Sequence, residues 1–194
     1  MDEQNQATAA ITIRPCNAAD IDNMLAIINA AAEAYRGVIP ADRWHEPYMP
    51  AEELASELTD GVMFSGYVAR ERMVGVMGVQ RRHNVDLVRH AYVLPECQGG
   101  GVGSRLLKHL CRDAERPILI GTWKAAEWAI RFYERHGFAR IGGDDMAPLL
   151  RTYWNVPERQ IDSSVVLASP PLSSEAANRL IAEVERAALH QRSG

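Results

Sequence analysis

The run Gln98-Gly99-Gly100-Gly101-Val102-Gly103 carries the most evident chemistry of the chain. So many glycines leave the backbone with little side-chain cover. Its N–H groups and the unpaired first-turn donors of a following helix can then converge on one anion, such as a diphosphate. One glycine would satisfy a tight turn, and four exceed that need. The helix is written in the spacing that follows, since Val102, Leu106, Leu110 and Ala114 recur every fourth residue while Leu107 and Cys111 widen the stripe. Arg105, Lys108 and Arg112 lie on another side, where they either meet further phosphate or form an ordinary solvated basic face.

Two familiar phosphate motifs do not fit. A P-loop requires Lys and then Ser or Thr after its last glycine, where this chain has Ser104 and Arg105. A dinucleotide G-x-G-x-x-G begun at Gly99 meets Ser104 in place of its third glycine, and the strand before it lies mid-chain rather than opening a βαβ unit. The segment instead resembles the acetyl-CoA motif of the GNAT N-acetyltransferase superfamily, which has Gln or Arg, then Gly three residues on, then Gly or Ala two further; Gln98, Gly101 and Gly103 meet it. A second GNAT signature, A-x-x-F-Y-x-x-x-G-F, is matched downstream by Ala129, Phe132, Tyr133, Gly137 and Phe138.

The resemblance implies acetyl-CoA as co-substrate and no metal. It implies that the strand before the loop splays from its neighbour and bonds the pantetheine arm through the backbone of Ala91, Tyr92 and Val93. Gln98, Gly99, Gly100, Gly101, Val102, Gly103 and Ser104 would hold the diphosphate, and the small Ala129 would let the cofactor approach its helix. Where the family often carries Asn, three residues before that alanine, this chain has Ala126, so one cofactor contact is lost or replaced. The family's helix-loop-helix region lines the acceptor pocket, which assigns Trp44, His45 and Tyr48, with Glu33 and Tyr35, to the amine substrate. Aromatic residues pinning a loop to the core are the alternative.

Acetyl transfer from a thioester requires an unprotonated amine, a polarised carbonyl and a proton for the departing thiolate. A thiol titrates near about 8.5 and a phenol near about 10, so a neighbouring tyrosine can supply that proton. Tyr133 is the candidate acid, four residues after Ala129 on the same helix face. A half-buried tyrosine bonded to backbone is the alternative. For the base, relatives use a glutamate or histidines on the strand before the loop; here its polar residues are Asp86, Arg89 and His90. An imidazole is the suited group, which makes His90 the first choice, directly or through water, with Glu33 and His45 next. A hydrogen-bonded core histidine is again the alternative, and strand alternation leaves open which face meets substrate. A backbone N–H near Val93 is the candidate oxyanion donor.

The elements that must hold these groups follow from pattern. Residues 11–15 alternate like a strand, Asp20 can cap a helix over 21–35 ended by Gly37, and 51–58 read as a second helix. Residues 66–69, 73–80 and 85–94 are strands with short links, hence an antiparallel meander. After the loop helix come a strand at 117–121, a helix over 123–136, a strand at 138–141, a helix at 146–154 and a last strand at 161–168. The class is α+β, and the resemblance gives the GNAT fold: a mixed, mostly antiparallel sheet of six to seven strands flanked by helices and splayed around its centre. The acetyltransferase domain is expected over 8–168. A linker broken by Pro170 and Pro171 then leads to an amphipathic helix over 174–190, whose stripe Ala177, Leu180, Ile181, Val184 and Ala188 must dock on its own domain or join a second copy as a homodimer.

At 194 residues the chain can bury a full core, and its 47% hydrophobic and 24% charged content marks a globular protein. Net charge of −4 disfavours nucleic acid and anionic membrane as partners. No apolar run approaches the roughly 20 residues of a membrane span, and the polar residues 1–9 read as a frayed start rather than a signal peptide, so a cytoplasmic protein is expected. Cys16, Cys97 and Cys111 are odd in number without C-x-x-C spacing, and the histidines lack H-x-x-x-H spacing, which argues against disulfides and zinc. The function expected is acetyl transfer to the primary amine of a small molecule. A protein or peptide amino group as acceptor, or a non-catalytic acyl-CoA sensor, are the alternatives.

Overall fold

The computed structural model describes residues 11–154 and 156–192, so the polar start at 1–9 lies outside the described residues. Strand β1 (Ile11–Pro15) leads through a 3₁₀ turn into α1 (Ile21–Ala32). That entry is fastened by a capping box in which Asn17 accepts from Ala19 and Asp20 accepts from the Asn17 N–H, while Asp20 also takes two hydrogen bonds of 2.7 and 2.8 Å from Arg14. A 3₁₀ turn at Glu33–Tyr35 and Gly37, at φ 72°, end the helix, and a loop leads to α2 (Ala51–Thr59). The meander follows as β2 (Val62–Ala69), β3 (Arg72–Arg82) and β4 (Val85–Val93), antiparallel as the short links require.

Beyond the glycine loop come α3 (Val102–Cys111), β5 (Ile118–Trp123), α4 (Glu127–Glu134), β6 (Ala139–Arg140), α5 (Met146–Tyr153), α6 (Glu158–Ile161), β7 (Ser164–Ser169) and α7 (Ser174–Arg192). The seven strands form one sheet in the order β1-β2-β3-β4-β5-β7-β6, antiparallel except where β5 runs beside β4. The parallel pair is short. Asp86, Leu87 and Val88 match Ile118, Leu119 and Ile120, and beyond Val88 the two strands part. The mixed, mostly antiparallel sheet splayed at its centre is thus present.

Two boundaries differ from the sequence reading for a shared reason. Trp123, read as the start of a helix, continues β5 because it pairs with Ser164 of β7, so α4 starts only at Glu127. Residues 158–161, partly read as strand, form α6, and β7 begins at Ser164.

Packing sets α3 close to the sheet. A Cβ at Gly75 of β3 would lie 2.8 Å from the Val102 side chain and 3.2 Å from that of Leu106, so only glycine admits the helix there. Val102, Leu106 and Leu107 are buried in that contact, each worth roughly 1.5–3 kcal/mol. A second cluster joins Val85, Leu87, Leu119 and Val166 of the sheet to Leu149, Leu150 and Tyr153 of α5. Ala177, Leu180, Ile181 and Val184 of α7 pack on it too, so the C-terminal stripe docks on its own domain, while Ala188 stays exposed. Asn84 fastens the helix by donating to the Leu180 carbonyl at 3.0 Å and to Glu183 at 2.8 Å, and accepts from the Tyr153 hydroxyl at 2.7 Å.

Candidate active site

The parting of β4 from β5 leaves one edge of β4 without a ladder partner after Val88. A β-bulge lies in the same stretch. Gly78 opposes Arg89 and Val76 opposes Tyr92, so Met77 faces two residues, His90 and Ala91, with His90 at φ 50°. A bulge re-aims side chains, and here it turns Arg89, His90, Ala91 and Tyr92 toward the opening.

Two cavities meet there. A cleft of about 510 Å³ runs from Ala91, Tyr92 and Val93 past Gln98, Gly99, Gly101, Val102, Gly103 and Ser104, with Ala129, Phe132 and Tyr133 of α4 opposite. A smaller cavity of about 210 Å³ lies between the parted strands, reaching from His90 and Tyr48 to Thr122 and Trp154. Ala91, Tyr92 and Tyr133 line both.

The loop is shaped for an anion. Gly99 and Gly101 sit at φ 77° and 80°, a region that L side chains rarely adopt, and a Cβ on either would point into open space. Gly101 caps α3 with no side-chain hydrogen bond, so the first-turn N–H groups remain for a ligand. These features fit a coenzyme A diphosphate, with the free edge of β4 left for its arm. Gly103 lines the cleft too, and a Cβ there would meet the Phe132 ring at 3.4 Å, an ordinary contact, so any longer side chain would press on α4. Gly100 rests against the Cys97 carbonyl and does not line the cleft. Gln98 donates to the Val93 carbonyl at 3.0 Å, tying the loop to the end of β4. Arg105 donates to the Tyr67 hydroxyl at 3.0 Å, whereas Lys108 and Arg112 are exposed. The cation at the cleft is Arg135 instead, two residues after Tyr133 within the second motif.

Tyr133 is 6% exposed, ringed by Phe132 and Phe138 at 5.1 and 5.9 Å. Burial, with smaller contributions from Tyr35 and Cys111, holds its phenol well above the ordinary value, so it keeps its proton at neutrality. Ala126, buried at the start of α4, leaves no polar group at that position.

His90 acquires a partner that the linear sequence hides. Its Nε2 lies 3.0 Å from a carboxylate oxygen of Glu57 on α2, and its ring stacks on Phe64 at 5.8 Å. Glu57 also accepts from Arg89 through both oxygens, at 2.7 and 2.8 Å, and Arg89 donates its other terminal nitrogen to Gln80 at 2.7 Å. Burial pushes the Glu57 carboxyl up, but His90 and Arg89 beside it more than offset that and hold it below its ordinary value. Glu57 follows the buried Leu54 by three residues on an amphipathic helix, which places a carboxylate beside an apolar stripe. That was the available signal.

The expected acceptor residues separate into two groups. Tyr35, Trp44 and Tyr48 gather with Tyr92: Tyr48 stacks on Tyr35 at 6.0 Å, and its ring meets Trp44 at 5.5 Å and Tyr92 at 6.5 Å. Burial and the neighbouring Tyr48 push the Tyr35 phenol up to about 12, against the opposing effect of its hydrogen bond to Thr122. Glu33 and His45 stay at the rim. Glu33 is bound to Arg36 at 2.7 Å, and His45 packs on Tyr48 with Nδ1 donating to the Pro47 carbonyl at 2.7 Å; of the five expected acceptor residues Tyr48 alone lines either cavity, with Tyr35 and Trp44 packed behind it. Trp128, Thr122 and Trp154 line the cavities without having been singled out, because they lie on α4, β5 and just past α5, remote in sequence from the acceptor loop.

Residues 64–140 match the family model described as acetyltransferase (GNAT) domain. Solved structures share the fold. The PaiA N-acetyltransferase of Thermoplasma acidophilum, solved with coenzyme A, superposes with a TM-score of 0.62 at 17% identity over 82% of this chain and 98% of its own. A GNAT-family acetyltransferase of Staphylococcus aureus gives 0.61 at 19%, over 82% and 98%. The ribosomal-protein-S18-alanine N-acetyltransferase of Escherichia coli gives 0.58 at 16%, over 84% and 96%. No curated protein matches the chain in sequence. Residues 64–140 thus carry the match to a GNAT acetyltransferase domain, and the fold around them is the one seen in GNAT acetyltransferases. Among the described residues no helix is long and apolar enough to cross a membrane, and no group of three acidic, histidine or cysteine side chains could hold a metal.

Proposed function

We propose that the protein acetylates the primary amine of a small molecule by direct attack within a ternary complex. The observation that carries this reading is the meeting of a glycine-walled cleft with a second, smaller cavity at Tyr133, Ala91 and Tyr92. The diphosphate rests on the loop and the start of α3, and the arm follows the free edge of β4. The thioester then reaches the junction and the amine enters from the 210 Å³ side.

The amine nitrogen attacks the thioester carbonyl carbon, His90 takes a proton from it, and an N–C bond forms. A backbone N–H of the splayed strand meets the oxyanion. The C–S bond breaks with its electrons on sulfur, Tyr133 protonates the thiolate, and the proton held by His90 returns to the phenolate through solvent. Glu57, 3.0 Å from its Nε2, holds the His90 ring in place. A cavity of this size suits a small molecule better than an extended peptide, and the site needs no second copy, since the apolar stripe of α7 is engaged on its own domain. This reading keeps the domain at 8–168 and the reaction in the cytoplasm.

The test is coenzyme A thiol release with a panel of small amines and of peptides, the acetylated products identified by mass. Turnover of small amines supports the reading. Turnover of peptides alone, or acetyl-CoA binding without thiol release from any acceptor, overturns it.

A further inference from the structure

We infer that the acceptor is an arylalkylamine, one aromatic ring on a short chain ending in the amine and carrying no carboxylate; this rests on the small-amine reading above. The 210 Å³ cavity is lined by Tyr48, Tyr92, Trp123, Tyr133 and Trp154 together with polar groups such as Gln160 and Ser164, and no aspartate or glutamate lines it. Arg89 is the cation at its edge that could take a substrate carboxylate. Both its terminal nitrogens are already committed, to Gln80 and to the two oxygens of Glu57. An amino-acid carboxylate would have to share that guanidinium with the Glu57 carboxylate, and a second ammonium, as in a polyamine, would find no acidic side chain in the cavity lining.

The walls are built and held. Gly121, in the middle of β5, leaves the space that the Trp154 indole fills: a Cβ there would lie 3.1–3.3 Å from three of its ring atoms. On the other side Tyr48 is braced by Tyr35 and Tyr92, in stacked and edge contacts at 6.0 and 6.5 Å. A substrate ring can add an offset-stacked or edge contact to such a wall, and ring faces also attract the ammonium before it gives up its proton. The volume falls under the roughly 300 Å³ at which pockets for drug-sized ligands begin, so the space suits a single ring. Arg89, Trp154 and Val156 also line a cavity of about 620 Å³ between α2 and α5, so the indole stands between the two spaces.

The experiment compares kcat/KM for 2-phenylethylamine, n-butylamine, phenylalanine and spermidine at saturating acetyl-CoA. We expect 2-phenylethylamine to lead each of the others by about tenfold or more, the worth of one or two aromatic contacts. Equal or better use of phenylalanine, spermidine or n-butylamine overturns the inference and leaves the small-amine reading standing. Failure to acetylate any small amine overturns both. Trp154→Leu and Tyr48→Leu should each reduce the preference for 2-phenylethylamine over n-butylamine by about fivefold, a ratio that does not depend on how much of the variant is folded. An unchanged ratio in both variants also overturns it.

Discussion

The carboxylate of Glu57 and the imidazole of His90 stand 3.0 Å apart although they are 33 positions apart in the chain, one on α2 and the other at the bulge of β4. Glu57→Gln keeps the shape and removes the negative charge that faces the imidazole. We expect kcat to fall on the order of tenfold, near the lower worth of a contact to a charged group, with the KM for acetyl-CoA little changed. A role in folding alone would lower the melting temperature and leave the kcat of the folded protein unchanged.

Tyr133→Phe should lower kcat by roughly 10²–10⁴, the usual range for a positioned acid, while acetyl-CoA affinity measured by calorimetry stays within about twofold. Because burial holds the phenol protonated, the wild-type rate should show no alkaline fall from Tyr133 below about pH 10, its ordinary value. Unchanged turnover in the variant removes Tyr133 from the chemistry.

The glycines of the loop separate into two kinds of effect. Gly101→Val forces a β-branched residue to φ 80° and places methyl groups where the diphosphate would lie, so coenzyme A binding should weaken at least tenfold. Gly103→Leu instead drives a side chain into Phe132 and pushes α3 from α4, costing about 1–3 kcal/mol in chemical denaturation. Calorimetry and urea titration on the two proteins read the difference.

Asp20 gives the fold an acid-sensitive fastening. The two hydrogen bonds from Arg14 are the main reason its carboxyl titrates at about 2 rather than its ordinary 3.8. A depressed value contributes stability that is complete above the unfolded value and lost as pH falls through the folded one. Asp20→Asn should therefore be less stable than wild type by about 1–3 kcal/mol at neutral pH, with the gap closing between about pH 4 and pH 2. Urea midpoints measured across that window check it, and a gap independent of pH would contradict it.

What could be read from sequence was whatever repeats locally. The meander, the loop with α3, and the motif helix carrying Ala129 and Tyr133 are visible because alternation, fourth-residue spacing and glycine punctuation act over a few residues. The end of β5 was not legible, because Trp123 is a strand residue only through Ser164, and nothing near Trp123 announces that pairing. The insertion of β7 between β5 and β6 is hidden for the same reason. At the site, Tyr48 stood out in its loop, whereas Glu57 and Trp154 acquire meaning only when α2 and the segment after α5 converge on β4 and β5.

The two central strands hold hands for three residues and then diverge, and that short grip lies under α5 and α7. The width of the mouth where sulfur and nitrogen must meet is therefore governed from its hinge, by a clasp made of the last helix in the chain. Trimming that helix, remote as it is from any reacting atom, would loosen the jaw itself.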